Sequence, residues 1–332
     1  MIKNNPFFSS IFTSIWNKHF NKKKVSYAFN ILKDISFYKP TVFPLFVNTG
    51  KNLTKGVSYC LDTRKTDYIS KCFLIYDVPQ YFIKNHKELP RGVKLIRVPQ
   101  YPGYITNLEN FENFDEYISI NFSKKSKYKF RSYKRALENT FDINYKHIYG
   151  EISKEKYDTI FNQFYSILSK RFDDKSETNN NLNPLEWAFY KEVVYPLIID
   201  KKASLYVVYQ SDKPIAISLN YFSEDILFFA ITGFDIDFSK YNVGTVHLME
   251  LFKWCFDNDI KTFDFSKGHY AYKARWGDSK YSFENHIYYD SKSLFSSIIA
   301  HTTANYFRFK QYLRGKKIKN KLNNVLDYLK KS

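Results

Sequence analysis

Cysteine is scarce in this sequence, which argues against a disulfide-stabilised fold. The 332 residues include three cysteines, Cys60, Cys72 and Cys255, and their spacing fits no metal-binding motif. Such usage is typical of a reducing compartment, so we expect a cytoplasmic protein. No apolar run approaches the roughly 18 residues that a membrane-spanning helix requires. The N-terminal residues also lack the cleavage site of a secretory signal.

Several catalytic motifs are also absent from the sequence. It has no Gly-x-x-x-x-Gly-Lys-Ser/Thr phosphate loop, no Gly-x-Ser-x-Gly nucleophile motif and no Gly-x-Gly-x-x-Gly dinucleotide fingerprint. These absences argue against P-loop NTPases, α/β-hydrolases and nicotinamide-dependent dehydrogenases. The His, Cys, Asp and Glu residues show no metal-ligand spacing, so we expect no metal cofactor.

Acidic residues are few relative to basic ones. The chain has 51 Lys and Arg against 33 Asp and Glu, a net charge of +18. This excess predicts anionic partners, which include a nucleic acid such as tRNA, an anionic membrane surface and a phosphorylated cofactor or substrate. A lysine-rich proteome would produce the same excess. The hydrophobic content of 44% is that of a globular protein, and the length allows one large or two ordinary domains.

The first part of the chain, residues 1–122, is predicted to be a small α/β or α+β lobe. A short amphipathic helix is expected over residues 5–20, and strand patterns follow from Val25 to Val98. Pro99–Gly103 predicts a loop, with a short helical piece near residues 107–114. No catalytic motif occurs in this lobe.

A strongly basic helix is predicted next, over Ser123–Glu138, with Ser123 as its N-cap. We assign residues 123–140 as a helix that bridges two lobes. One interpretation is a solvated connecting helix. The other is that Arg131 and Arg135, at i and i+4 on one face, help to hold an anionic donor or acceptor.

The second lobe, residues 141–295, has the element order strand, helix, helix, three antiparallel strands, helix, strand. A polar loop at residues 173–183 has a length that often covers a site. Pro196 is predicted to kink or end the second helix early. Residues 296–332 are predicted to form a basic helical tail, packed through an apolar stripe.

This lobe is organised around Ile226–Trp276. The apolar run Ile226–Phe234 predicts a buried strand, and Val243 precedes apolar residues at spacings of three and four, which indicate a helix. A second short strand, Thr262–Ser266, follows, and Gly268 breaks it. In such a strand–loop–helix–strand crossover, the loop can hold an anionic ligand at the helix N-terminus.

These residues resemble the C-terminal part of the GNAT acyltransferase superfamily. A glycine opens the helix, and the motif D-F-x-x-G-x-x-x-Y-K follows; the matching positions are Gly244, Asp264, Phe265, Gly268, Tyr272 and Lys273. More narrowly, the pattern is similar to CelD-like acyltransferases, which are related to Fem-type peptidoglycan aminoacyltransferases. The resemblance covers roughly residues 123–289. It implies an α/β fold with a mixed α+β sheet, with two GNAT-like lobes and a basic C-terminal helix.

The resemblance also implies a function, namely transfer of an acyl group from acyl-CoA, for example acetyl-CoA, to an amine. It suggests an amino sugar of cell-envelope or exopolysaccharide synthesis as the acceptor. Backbone N–H groups at the end of the central strand would polarise the thioester carbonyl, and those at the start of the next helix would hold the phosphates. The donor-binding residues implied are Ile231, Thr232, Gly233, Asn242, Val243, Gly244, Thr245 and Arg131.

Four side chains are catalytic candidates: Asp264, Tyr272, Lys273 and His269. A carboxylate in an apolar strand must be paired, so Asp264 has the alternative of buttressing the segment that follows it. Tyr272 would donate a proton to the leaving thiol or order the acceptor, and Lys273 would pair with Asp264 or bind a phosphate. His269 is a base by residue type. His247 is placed on the polar side of its helix, as a surface or packing residue.

Two other functions stay open at this point. A Fem-type aminoacyltransferase that uses aminoacyl-tRNA would explain the basic charge, because Lys and Arg release counterions from RNA. No long helical-hairpin insertion of the kind many such enzymes carry is obvious in the sequence. A non-catalytic basic binding protein on the same fold is the third option. The donor loop has a single glycine, Gly244, where many GNAT proteins have a richer Gln/Arg-x-x-Gly-x-Gly/Ala segment.

Overall fold

A computed structural model describes residues 2–22, 25–82, 89–174 and 180–315. Its α-helices are α1 (Ser10–Trp16), α2 (Phe114–Asn121), α3 (Lys124–Thr140), α4 (Lys154–Asp174), α5 (Pro184–Ile199), α6 (Val243–Asp257), α7 (Ala271–Trp276) and α8 (Leu294–Gly315). Its strands are β1 (Ser26–Phe29), β2 (Leu32–Tyr38), β3 (Leu45–Asn48), β4 (Cys60–Leu61), β5 (Cys72–Pro79), β6 (Val93–Asn107), β7 (Ile143–Ile148), β8 (Ala203–Gln210), β9 (Lys213–Phe222), β10 (Ile226–Phe234), β11 (Thr262–Lys267) and β12 (Ser279–Asp290).

The chain forms two compact units. Of the described residues, the first contains 25–82, 89–102 and 282–315, and the second contains 2–22, 103–174 and 180–281. These units differ from the consecutive segments proposed above, because β6 and β12 each begin in one unit and end in the other. The N-terminal helix α1 and the basic helix α3 both lie within the second unit.

The first unit contains a mixed sheet with the strand order β1-β2-β3-β5-β12, and β4 pairs with β2. Strands β3 and β5 are parallel, whereas the pairs β1–β2, β2–β3 and β5–β12 are antiparallel. Helix α8 packs on this sheet through Phe307, which shares a core with Val47, Leu74 and Ile287. That this lobe is also GNAT-like stays a prediction.

The second unit contains a mixed sheet with the order β6-β11-β10-β9-β8-β7. The three-stranded meander β8–β9–β10 is confirmed, and β10 and β11 are the parallel neighbours in this sheet. Successive strand residues point to opposite faces. On β10, Phe228 packs against Phe7 before α1, whereas Phe229 joins the core that contains Phe252 of α6. The sheet is therefore covered on both faces.

Local sequence signals predicted the first residues of two helices correctly. Helix α6 begins at Val243, as predicted. The Ser123 hydroxyl accepts a hydrogen bond from the Ser126 amide at 3.3 Å, so the predicted N-cap of α3 is confirmed. An N-cap satisfies one of the orphan amides of the first turn, which is why such a residue marks a helix start.

Two features predicted from proline differ in the structure. The loop expected at Pro99–Gly103 is wrong, because β6 continues through it. The fixed φ of proline suits extended backbone, and the residue lacks only the N–H that a ladder position would use. Pro196 does not end α5 early, since that helix runs on to Ile199. The helix tolerates the one backbone hydrogen bond that Pro196 cannot donate, because only about one turn of the helix remains after this residue.

The two chain ends differ from expectation in different ways. The helix expected over residues 5–20 is divided, with a 3₁₀ turn at Pro6–Phe8, then α1, then a π turn at Asn17–Asn21. Capping of both starts by Asn5 and Ser9 explains the division. In the tail predicted as residues 296–332, α8 accounts for the described part, and residues 316–332 lie outside it. None of the helices in the described ranges is long and apolar enough to span a membrane.

Candidate active site

The parallel strands β10 and β11 pair only where they begin. Their register runs from Ile226 opposite Thr262 to Phe228 opposite Asp264, while β10 continues to Phe234. The pairing of β10 with β9 is irregular between Phe229 and Ile231. Past this point β11 no longer supplies hydrogen-bond partners to β10. Backbone groups near the end of β10 are thereby available to a ligand.

A cavity of about 190 Å³ lies at this end of β10. It is lined by residues from β10, α4, α6, α7 and the turn before α6: Arg171, Phe229, Thr232, Phe234, Ser239, Asn242, Gly244, Thr245, Leu248, Tyr272 and Trp276. Five residues predicted for the site are thus brought together, namely Thr232, Asn242, Gly244, Thr245 and Tyr272.

The N-terminus of α6 opens toward this cavity. Asn242 adopts the left-handed region with a φ of 53°, and its carbonyl accepts from the amides of Thr245 and Val246 at 2.8 and 3.2 Å. The amides of Val243 and Gly244 belong to the first turn of α6, where no carbonyl of the helix is placed to accept from them. Among the described residues, no side chain caps this helix start. Exposed N–H groups and the helix dipole together favour an anion here.

Gly244 is required by a close contact with Phe234. A Cβ at position 244 would lie 2.9 Å from Cδ1 of the Phe234 ring. The same ring stacks with the Arg171 guanidinium, whose Cζ is 4.2 Å from the ring centroid. The positive φ in this segment belongs to Asn242, so packing and not an unusual backbone angle accounts for the glycine. These contacts place a cation near the start of α6.

Tyr272 is the predicted catalytic side chain that lines the cavity. Burial raises the pKa of its hydroxyl well above the ordinary range, and the neighbouring Arg171 charge opposes that shift. The hydroxyl therefore stays protonated at neutral pH and acts as a hydrogen-bond donor. Its ring packs edge-on against Phe265, with the centroids 6.2 Å apart.

Asp264 lies beneath the site and is fully buried. The single proton of the Tyr281 hydroxyl is shared between the two Asp264 carboxylate oxygens, at 2.7 and 2.8 Å, and the Ser266 amide donates to Oδ1 at 2.7 Å. Ser266 has a φ of 58°, at an irregularity in the pairing of β11 with β6. This geometry matches the structural alternative, in which Asp264 supports the end of β11.

Lys273 and His269 do not line the cavity. The buried Lys273 ammonium donates to the Lys267 carbonyl at 2.7 Å and to the Ser266 carbonyl at 3.4 Å. Burial lowers the pKa of Lys273 to about 8, and the Asp264 charge opposes the shift. These bonds tie α7 to the end of β11. His269 is exposed, with its Nδ1 2.5 Å from the Tyr104 hydroxyl.

Comparison with known proteins identifies the kind of domain that contains this cavity. Residues 124–274 match a family model described as an acetyltransferase (GNAT) domain. This part of the chain is therefore a GNAT-type acyltransferase domain. The match begins at the first residue of α3 and ends within α7, so it contains β10, α6 and β11. No curated protein sequence matches the chain.

Solved structures share the GNAT-like fold at low identity. A crystal structure of FemX superposes with a TM-score of 0.58 at 12% identity, covering 86% of this chain and 93% of that one. A conserved protein of unknown function from Bacteroides thetaiotaomicron has a TM-score of 0.54 at 10% identity, with 86% and 91% covered. L-PGS from Bacillus licheniformis has a TM-score of 0.50 at 13% identity, with 92% and 98% covered. These likenesses concern the fold, and the CelD-like subtype stays a prediction.

Other predicted residues of the GNAT domain lie around or away from the cavity. Ile231 and Val243 are buried beside it, and Gly233 lets α4 approach, since a Cβ there would lie 2.9 Å from Leu168. Arg131 is exposed on α3 and lines a different cavity. His247 is not on a polar side, because it is buried against the Tyr206 carbonyl. Burial lowers the pKa of His247 to about 4, which makes it a neutral packing residue.

Arg171 is the functional candidate that the sequence did not suggest. It lies in the last turn of α4, directly before the polar loop that was predicted to cover a site. A basic residue in the last turn of a helix, next to such a loop, could have indicated a ligand-binding role. In the described ranges, no group of three His, Cys, Asp or Glu residues is placed to hold a metal ion.

Proposed function

We propose that the GNAT domain transfers an acyl group from the pantetheine thioester of acyl-CoA to a primary amine. The observation that carries the proposal is one cavity that combines the separated end of β10, the uncapped start of α6 and the Arg171 guanidinium. In the reaction, the amine nitrogen attacks the thioester carbonyl carbon. A C–N bond forms, the C–S bond breaks, the nitrogen loses a proton and the thiolate gains one.

Each requirement of the reaction has a candidate group. Amides of β10 between Ile231 and Phe234 would donate to the oxygen that becomes negative during attack. The phosphates would bind the amides of α6, the Thr245 hydroxyl and Arg171. Tyr272 would protonate the leaving thiolate, because its hydroxyl keeps its proton at neutral pH.

The cavity lining contains no carboxylate or histidine among the described residues. The acceptor would therefore react as the free amine, and its proton would pass to water. Asp264 and Lys273 are proposed as positioning residues, since they hold β11 and α7 while neither lines the cavity. The amine acceptor is proposed to be an amino sugar of cell-envelope or exopolysaccharide synthesis, modified in the cytoplasm.

The direct test of the donor is thermal stabilisation by a panel of acyl-CoAs. A ligand present at 100 times its Kd stabilises the native state by about 2.7 kcal/mol. Free CoA thiol should then appear when an amino sugar is added. If no acyl-CoA stabilises the protein, the donor assignment is wrong.

An aminoacyl-tRNA donor is the second candidate. The net charge of +18 and the fold likeness to FemX favour it. Binding of tRNA through Lys and Arg would weaken steeply with salt, because each phosphate contact releases counterions. Gel-shift titrations between low and physiological salt distinguish this donor from acyl-CoA.

A further inference from the structure

A second cavity of about 610 Å³ lies between α2 and α3, within the second unit. Its apolar floor contains Phe114, Ile118 and Met249, and its rim carries Lys124, Lys127 and Arg131. We call this feature the α2–α3 groove. It is larger than the cavity at the end of β10, and the proposed reaction uses none of these residues.

The charges of the α2–α3 groove are mostly uncompensated. Lys124 and Lys127 form no ion pair with any residue in the described part of the chain, and Asp115 is the acid that the lining contains. By contrast, Lys134 on the same helix is neutralised by Glu250 at 2.6 Å. The exposed side chain of Tyr128 borders the groove. An apolar floor with a cationic rim fits an amphipathic, negatively charged helix.

The α2–α3 groove adjoins the acyl-transfer cavity. Phe130 lines the groove and Trp276 lines the cavity, and their rings stack with centroids 5.3 Å apart. Met249 and Leu248 are neighbours on α6, one facing each space. A partner in the groove would therefore lie one layer of side chains from the reacting thioester.

The end of the cavity proposed to bind phosphate has few positively charged groups. It offers one guanidinium, Arg171, and one helix start, and Gly244 is in contact with the Phe234 ring. CoA presents a diphosphate and a further phosphate on its ribose. A carrier protein that bears the same pantetheine thioester presents a single phosphodiester, which needs fewer cations.

We infer that the α2–α3 groove docks a helix of a small acidic carrier protein that delivers the acyl group as its pantetheine thioester. This inference rests on the proposed acyl transfer and specifies the donor. Carboxylates of the helix pair with Lys124, Lys127 and Arg131, and its apolar side covers Phe114 and Met249. The amine takes the acyl group, and the carrier leaves with its thiolate protonated. RNA fits less well, because the apolar floor offers nothing to a phosphate backbone, whereas it can cover the apolar side of a helix.

The test compares two donors on one amine acceptor: acetyl-CoA and an acetylated acyl carrier protein. The variant Lys124→Glu/Lys127→Glu reverses the rim charges. Lys125→Glu/Lys129→Glu is the matched control, since both lysines are exposed on α3 and neither lines the groove. We expect the carrier donor to have a kcat/KM at least about tenfold above that of acetyl-CoA. Loss of two charge pairs, each worth up to about 1 kcal/mol, predicts a drop of about ten- to thirtyfold for the carrier. The rim variant should change the kcat/KM for acetyl-CoA by no more than about twofold. The control variant should change the kcat/KM for either donor by no more than about twofold.

Each other outcome overturns the inference. A carrier donor that is no better than acetyl-CoA, or a rim variant that lowers both donors alike, excludes docking at the groove. Loss of tRNA binding in the rim variant, with carrier kinetics unchanged, assigns the groove to nucleic acid instead. Failure of both donors with the native protein refutes the proposed acyl transfer itself, a result that is distinct from failure of the carrier alone.

Discussion

Replacing Gly244 tests how the donor site is built. A Cβ at this position would lie 2.9 Å from the Phe234 ring, closer than such atoms approach in proteins. The ring must therefore move, and it lines both the cavity and the stacking site of Arg171. Overpacking of this kind costs about 1–3 kcal/mol of stability. If one charge-assisted hydrogen bond to a phosphate is also lost, donor binding weakens by about ten- to a hundredfold.

The assay is steady-state kinetics with acetyl-CoA on folded Gly244→Ala protein, with KM and kcat measured separately. We expect a higher KM for the donor and a smaller change in kcat. The companion variant Gly244→Ala/Phe234→Leu makes room for the new methyl group and should recover most of the KM. Unchanged donor kinetics in Gly244→Ala would refute the assignment of this segment to the donor. Failure of the companion variant to recover KM would instead show that the donor itself contacts Gly244.

Three further predictions follow from the site. Tyr272→Phe should lower kcat by about 10²- to 10⁴-fold with little change in donor KM, if the hydroxyl protonates the thiolate; single-turnover kinetics separates this from slow product release. Arg171→Gln should raise the KM for acetyl-CoA by about ten- to a hundredfold, whereas a phosphate-free acetyl thioester of N-acetylcysteamine should react as before; equal effects on both donors would place Arg171 outside the phosphate site. Burial lowers the pKa of Lys273 from 10.5 to about 8, so between these values the unfolded chain binds a proton that the native state has lost, and stability rises with pH. Relative to Lys273→Met, the wild-type free energy of unfolding should therefore increase by up to about 3 kcal/mol from pH 8 to 10.5; parallel urea-unfolding curves for the two proteins would contradict the assignment.

Elements with strong local signals could be predicted from the sequence. The apolar run of β10 and the apolar residues of α6 predict a strand and a helix, because the spacing of their buried side chains matches each type of element. The proposed donor segment at Asn242–Thr245 then follows from its place between the two. The resemblance to GNAT proteins identified the same stretch.

Features that depend on distant contacts could not be predicted. Arg171 reaches the site from α4 through its stacking on Phe234, and Asp264 is satisfied by Tyr281 across the fold. Neither contact can be inferred from a local pattern of residues. Strand β12 also escaped prediction, and with it the partner that makes a structural role for Asp264 the better fit.

Hydrogen–deuterium exchange in the presence of acetyl-CoA tests the central claim most directly. If the cavity at the end of β10 holds the thioester donor, the backbone amides of Ile231–Phe234 and Val243–Thr245 should exchange more slowly when donor is bound. Peptides from the first turns of α3 should be unaffected by acetyl-CoA. Protection confined to other segments, or no protection at saturating acetyl-CoA, would contradict the account.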